Sequence, residues 1–202
     1  MIKAVIFDLG GVCFFDATQR VIDMLKSDYG VDEVKAYSVL SPKSEMGKLY
    51  RRGMITAKEF WTAALKELSV KENYDKFLKL WVDSPEMEGT VEIVRKLKQN
   101  GLKLFFLSDN IKERADILDK KFGVMKYFDG GIFSNLVGKI KPDGEDVFLM
   151  ALDKTGEVAA DVVFVDDKEK NVDTARGVGM KVIHFKNPAQ LEKELKLLGV
   201  KF

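Results

Sequence analysis

Three four-residue runs without a polar position, Ala4–Phe7, Leu104–Leu107 and Val162–Val165, constrain this chain more than any other feature. Most of their residues are β-branched or aromatic, and none alternates with polar neighbours as a strand with one wet face would. Continuous apolar runs of this length belong to strands covered on both faces, which is the situation of a buried parallel sheet. Weaker strand candidates lie at Gly131–Phe133 and Lys181–Phe185. Between and after them, Glu88–Asn100, Lys112–Phe122, Asp146–Lys154, Lys168–Val178 and Gln190–Leu198 carry apolar residues at helical period. Strands alternating with helices predict an α/β fold, a doubly wound, Rossmann-like parallel sheet of about five or more strands.

The interval 16–85 breaks this alternation. It shows helical periodicity and no convincing strand, and it is far longer than one crossover helix. Thr56 and Glu59 have capping-box spacing, and Phe60, Trp61, Ala64, Leu65 and Leu68 supply one apolar face behind them. The expectation is a helical subdomain over 16–85, inserted into an α/β core made of 1–15 and 86–202.

Charge excludes some function classes. The 202 residues include 33 Lys+Arg and 32 Asp+Glu, a net charge of +1, so no global basic field points to a nucleic-acid partner. The longest stretch free of Asp, Glu, Lys and Arg is nine residues, Gly130–Gly138, against the ~18 of a membrane-spanning helix, so no membrane partner is expected. The first residues carry no secretory apolar core, and the single Cys13 forms no internal disulfide; a cytoplasmic, reducing location is expected. Any electrostatic function must therefore be local.

The strand ends supply that locality. Asp8 follows the first run, Ser108 the second, and Asp166 with Asp167 the third, each a polar residue that a buried strand would not choose for packing. In an open parallel sheet the carboxyl ends share one edge, and ligands bind in the crevice there. Three carboxylates at a partly buried edge repel one another unless something positive sits among them. Oxygen-only donors in a chain with one His and one Cys point to a hard cation, Mg²⁺ before Zn²⁺. Lys141, in Gly138-Lys139-Ile140-Lys141-Pro142, offers a second positive charge. Metal plus lysine suits a phosphoryl group, whose transfer depends on charge neutralisation and positioning.

Phe7-Asp8-Leu9-Gly10-Gly11-Val12, Leu107-Ser108, Lys141-Pro142 followed by Phe148, and Phe164-Val165-Asp166-Asp167 with Asn171 resemble the four ordered motifs of the haloacid dehalogenase superfamily. The helical insertion after the first motif resembles the C1 cap of its subfamily I. The local wording is similar to the branch holding the N-terminal phosphatase domain of soluble epoxide hydrolase and small sugar-phosphate phosphatases. The resemblance makes Asp8 the catalytic nucleophile, forming an aspartyl-phosphate that water hydrolyses. It implies that Ser108, the Asp109 backbone amide and Lys141 hold the phosphoryl group, with Lys141 also orienting Asp8. It assigns Mg²⁺ to the Asp8 carboxylate, the Gly10 carbonyl and Asp167, gives Asp166 a metal-bound water, and has Asn171 support the loop.

Two residues depart from the family pattern. Gly10 stands where a second Asp usually acts as general acid and base, and that help is typically worth ~10²–10⁴-fold in rate. Asp109 stands where Asn often follows the Ser, bringing a carboxylate near a phosphate. The leading expectation is a Mg²⁺-dependent phosphomonoester hydrolase acting on a small phosphorylated metabolite, as a monomer or homodimer. The alternatives are a 2-haloacid dehalogenase, and a catalytically impaired phosphate- or sugar-phosphate-binding regulatory protein. His184 reads as a core or edge histidine, and Cys13 as packing under the first strand. Arg20, Lys48, Arg51 and Arg52 read as surface residues, though an anionic substrate could meet them.

Overall fold

All five strand candidates are strands in the computed structural model, which describes residues 1–123 and 126–201. In chain order the elements are β1 (Ala4–Phe7), α1 (Ala17–Tyr29), α2 (Glu33–Leu40), α3 (Glu45–Arg51), α4 (Ala57–Glu67), α5 (Asp75–Val82), α6 (Glu88–Gln99) and β2 (Lys103–Ser108). They continue with α7 (Lys112–Phe122), β3 (Gly130–Phe133), α8 (Ser134–Val137), α9 (Asp146–Thr155), β4 (Val162–Asp166), α10 (Glu169–Gly177), β5 (Lys181–His184) and α11 (Pro188–Leu197). The last helix begins two residues before the expected Gln190, because the Asn187 side chain accepts the Gln190 N–H and Pro188 fills the first helical position.

The strands pair in parallel in the order β3-β2-β1-β4-β5. The continuous apolar runs follow from two covered faces. Val5, Phe7, Leu104, Phe106, Val163 and Val165 pack with Ile93, Leu97, Leu191 and Leu195 of α6 and α11. The alternate residues Ala4, Ile6, Phe105, Leu107, Val162 and Phe164 pack with Val147, Phe148 and Ala175 of α9 and α10. Each fully buried Phe or Val contributes roughly 1.5–3 kcal/mol over leaving it in water, which explains why neither face carries a polar residue until the strands end. Cys13 is buried in the first of these clusters.

Helices α1 to α5 bury a separate apolar cluster around Phe60, Trp61, Phe77 and Trp81, and Ile111 joins it from just before α7. The Trp61 and Phe77 rings stack at 5.7 Å, and Tyr50 stacks on Phe60 at 4.5 Å. The capping box of Thr56 and Glu59 opens α4, with both reciprocal bonds formed. The backbone passes leading into and out of this helical segment pair with each other: Phe15 N–H donates to Pro85 O (3.1 Å), and Met87 N–H to Cys13 O (2.8 Å). Among the described residues no helix is long and apolar enough to cross a membrane.

Candidate active site

The strand order reverses between β1 and β4, so the crevice of this sheet opens between Asp8 and the Asp166–Asp167 pair. Asp8 is 5% exposed. Its N–H donates to Val165 O (2.8 Å), continuing the ladder one residue beyond β1. Its Oδ1 accepts the Leu9 N–H (2.7 Å) and its Oδ2 lies 3.0 Å from Lys141 Nζ, so the carboxylate is held at both oxygens.

Lys141 is buried on the short 3-10 turn Lys141–Asp143. Its ammonium bridges Asp8 and Asp166, with Asp166 Oδ2 at 2.6 Å. Burial alone would lower its pKa, but Asp166 and Asp8 outweigh burial and raise it, so Lys141 is a fixed cation. Asp8 behaves in the opposite way. Burial pushes its pKa up, Lys141 opposes, and the neighbouring Asp166 and Asp167 add to the rise.

Asp166 is the carboxylate most occupied by protein donors. Besides Lys141 it accepts Asn171 Nδ2 at both oxygens (3.0 Å each) and the Lys168 N–H at Oδ1 (2.8 Å). Asn171, on the first turn of α10, thus ties helix to strand end through Asp166. Asp167 is the least occupied. Its Oδ1 is buried with no hydrogen-bond partner among the described residues, and burial raises its pKa. Gly11 carries the β1 loop past it: φ is 85°, and a Cβ there would sit 2.6 Å from Asp167 Oδ2, so only glycine fits.

One oxygen each from Asp8, Asp166 and Asp167 can be chosen so that all lie within 4.8 Å of one another. An unpartnered buried carboxylate oxygen beside two further carboxylates is an all-oxygen donor set of the kind a hard divalent cation takes, so these residues fit Mg²⁺. Gly10 lines the same cavity, and a Cβ built there meets nothing within 4 Å, so the space of the missing acid is open.

Ser108, at the end of β2, is 2% exposed and accepts a long bond from Asn110 Nδ2 (3.4 Å). Asp109 turns its carboxylate onto the Lys141 backbone N–H (3.0 and 3.2 Å), so it clasps the lysine turn. Burial raises its pKa against the pull of Lys141. The sequence-selected residues therefore gather at one sheet edge, with Asp8, Gly10, Ser108, Asp109, Lys141 and Asn171 lining the cleft and Asp166 and Asp167 beside Asp8.

A cavity of about 90 Å³ opens over Asp8, with Ser108, Asp109 and Lys141 on its strand side. Its other walls bring in Asp16, Arg114 and Lys168, which the sequence pattern did not mark, together with Arg51. Asp16 caps α1 through the Thr18 and Gln19 N–H groups. Arg51 corrects the expectation of a surface residue. It is 5% exposed, donating to the carbonyls of Leu40 (3.0 Å) and Gly47 (3.1 Å) and to Thr18 Oγ1 (3.2 Å). Arg20 donates to Leu80 O, Lys48 pairs with Glu45, and Arg52 reaches Asp143 beside the lysine turn. His184 is half-buried with Nε2 3.0 Å from Asp167 O, at the strand edge as expected.

The family model for haloacid dehalogenase-like hydrolases matches residues 2–179, and the chain belongs to that family of enzymes. An uncharacterized Dictyostelium discoideum protein is 31% identical over 147 residues, 70% of this chain and 62% of the relative's length. A phosphorylated carbohydrates phosphatase of Thermotoga maritima is 27% identical over 197 residues, 90% of this chain and 84% of that protein. Among solved structures, a family enzyme of Bacteroides thetaiotaomicron, in complex with magnesium and inorganic phosphate, superposes with a TM-score of 0.74 at 20% identity, covering 93% of this chain and 96% of that one.

Proposed function

We propose that this hydrolase is a Mg²⁺-dependent phosphomonoester hydrolase acting on a small phosphorylated metabolite through Asp8. The observation that carries the reading is Lys141 bridging Asp8 and Asp166, beside the unpartnered Asp167 Oδ1. The Thermotoga relative's name and the phosphate bound to the Bacteroides enzyme support it.

Asp8 attacks phosphorus, the bond from phosphorus to the ester oxygen breaks, and the leaving oxygen takes a proton from solvent. A water then attacks the phosphorus of the aspartyl-phosphate, releasing inorganic phosphate and restoring Asp8. The Leu9 N–H and Lys141 fix the Asp8 carboxylate for attack, and Lys141 offsets charge on the phosphoryl oxygens. Ser108 and the Asp109 N–H bind the phosphoryl group, while the Asp109 carboxylate faces the lysine turn. Asp8, the Gly10 carbonyl and Asp167 would hold Mg²⁺, Asp166 would act on it through a water, and Asn171 holds Asp166 in place. Mg²⁺ supplies the positive charge that lets a phosphate dianion approach a carboxylate. The 16–85 segment serves as a cap over the 1–15 and 86–202 core, closing over the substrate while the intermediate forms.

Gly10 makes turnover slow on esters with poor leaving groups, because no side chain there protonates the departing oxygen. The same open position favours, as the second reading, a protein that binds phosphate esters without turning them over. A panel of phosphomonoesters, assayed for phosphate release with and without Mg²⁺, separates the two. Release that requires Mg²⁺ supports the hydrolase. Tight binding with no release by folded protein across the panel supports the binder and sinks the hydrolase.

A further inference from the structure

Arg114 sits in the first turn of α7, six residues beyond Ser108, and is 2% exposed. Its Nη1 donates to the carbonyls of Trp81 (2.9 Å) and Val82 (3.4 Å), and its guanidinium lies 5.4 Å from the centre of the Phe14 ring. Its Nη2 is buried and has no hydrogen-bond partner among the described residues. Buried donors are nearly always paired in folded proteins, so this unpaired guanidinium nitrogen calls for a partner that the described residues do not supply. The side chain lines the cavity that holds Asp8. Burial lowers its pKa to about 10, with Asp16 and Asp8 opposing the fall, so Arg114 is a cation at neutral pH.

Neither neighbouring charge completes Arg114. Asp16 uses its Oδ1 to cap α1, and no hydrogen bond joins it to Arg114 among the described residues. Arg51, from the helical segment, already donates to two carbonyls and to Thr18, so it adds positive charge to the cavity wall while Arg114 keeps the spare donor. The space also limits the ligand. The enclosed space of about 90 Å³ is small beside the 300–1,000 Å³ of sites for larger molecules and suits a leaving group of few atoms. Among the anionic groups that pair with a guanidinium, a planar carboxylate is smaller than a second phosphoryl group and suits this space better.

We propose that the substrate is a short phosphate ester whose leaving group ends in a carboxylate, held by Arg114; this rests on the phosphatase reading above. A matched pair of probes tests it, 3-phosphoglycerate and sn-glycerol 3-phosphate, which have the same length and differ in carboxylate against hydroxymethyl. With Mg²⁺, the wild-type kcat/KM favours the acid by roughly 10-fold or more, the range of a charge-assisted hydrogen bond. Arg114→Met brings that ratio towards one, chiefly through KM, and Arg114→Lys retains part of it. Because the ratio is taken within one protein, it does not depend on how much of a variant folds. Hydrolysis of both esters by wild type without preference for the acid, or a preference that survives in Arg114→Met, overturns this proposal and leaves the phosphatase reading standing. Failure of folded wild type to hydrolyse either ester or an activated aryl phosphate overturns both.

Discussion

At the scale of single residues, the site is governed by what happens when a charge is buried. Lys141 is almost fully enclosed between Asp8 and Asp166, which makes it the residue on which the other charges depend. Removing one partner of a buried ion pair leaves uncompensated charge and costs about 3–5 kcal/mol, far more than an exposed pair contributes. Lys141→Met should lower the urea midpoint accordingly, with phosphate release lost as well; an unchanged midpoint would mean that the bridge carries no structural load. Gly11 is a steric case. An alanine there meets Asp167 Oδ2 at 2.6 Å in a left-handed backbone conformation, so Gly11→Ala should cost about 1–3 kcal/mol in denaturant unfolding and weaken Mg²⁺ affinity. Equal stability and equal Mg²⁺ titration curves would refute that account.

The elements explain what could be read from the chain and what could not. Asp8, Ser108, Asp166 and Asp167 were legible because each ends an apolar run, so one topological rule brings them to a shared edge. Lys141 was legible only through its local wording, since a lysine before proline in a turn is otherwise ordinary. Arg114 carried no such mark, and Arg51 read as a surface residue. Arg114 lies in the charged stretch Lys112–Lys121, which reads as a solvated helix face, and its burial is decided by the carbonyls of Trp81 and Val82, more than thirty residues away. Arg51 follows Tyr50 at a helix end, and only the packing of α3 against Leu40 and Thr18 encloses it.

Arg52, its neighbour, ties the helical segment to the lysine turn through Asp143. Partial burial pushes the Asp143 pKa up, but Arg52 and the Ile140 N–H outweigh it and hold the carboxyl below its ordinary value. A depressed folded pKa means that this contribution is present above the unfolded value and is lost as pH falls through the folded one. Thermal melts of wild type and Arg52→Ala should therefore differ by the equivalent of about 0.5 kcal/mol at neutral pH and converge as the pH falls below the ordinary carboxylate range. A difference that stays constant into acid would assign the effect to packing.

On the scale of the whole molecule, a neutral chain conceals a concentrated site. The sheet edge supplies three carboxylates and the Lys141–Asp143 turn a lysine, and the helical segment with α7 supplies two arginines to the cavity wall. A cation that binds only the folded form stabilises it by mass action, about 2.7 kcal/mol at one hundred times its dissociation constant. Mg²⁺ should accordingly raise the Tm of wild type, and Asp167→Asn should abolish most of that rise while folding normally; a rise of equal size in the variant would move the metal elsewhere.

If Asp8 is the residue that becomes phosphorylated with Mg²⁺ present, beryllofluoride, which mimics an aspartyl-phosphate, binds there without turnover. Fluorine NMR of wild type with Mg²⁺ should show bound beryllofluoride resonances that vanish in Asp8→Asn and on chelation of the metal. Folded wild type with no bound resonance, or resonances undiminished in Asp8→Asn, would contradict the claim.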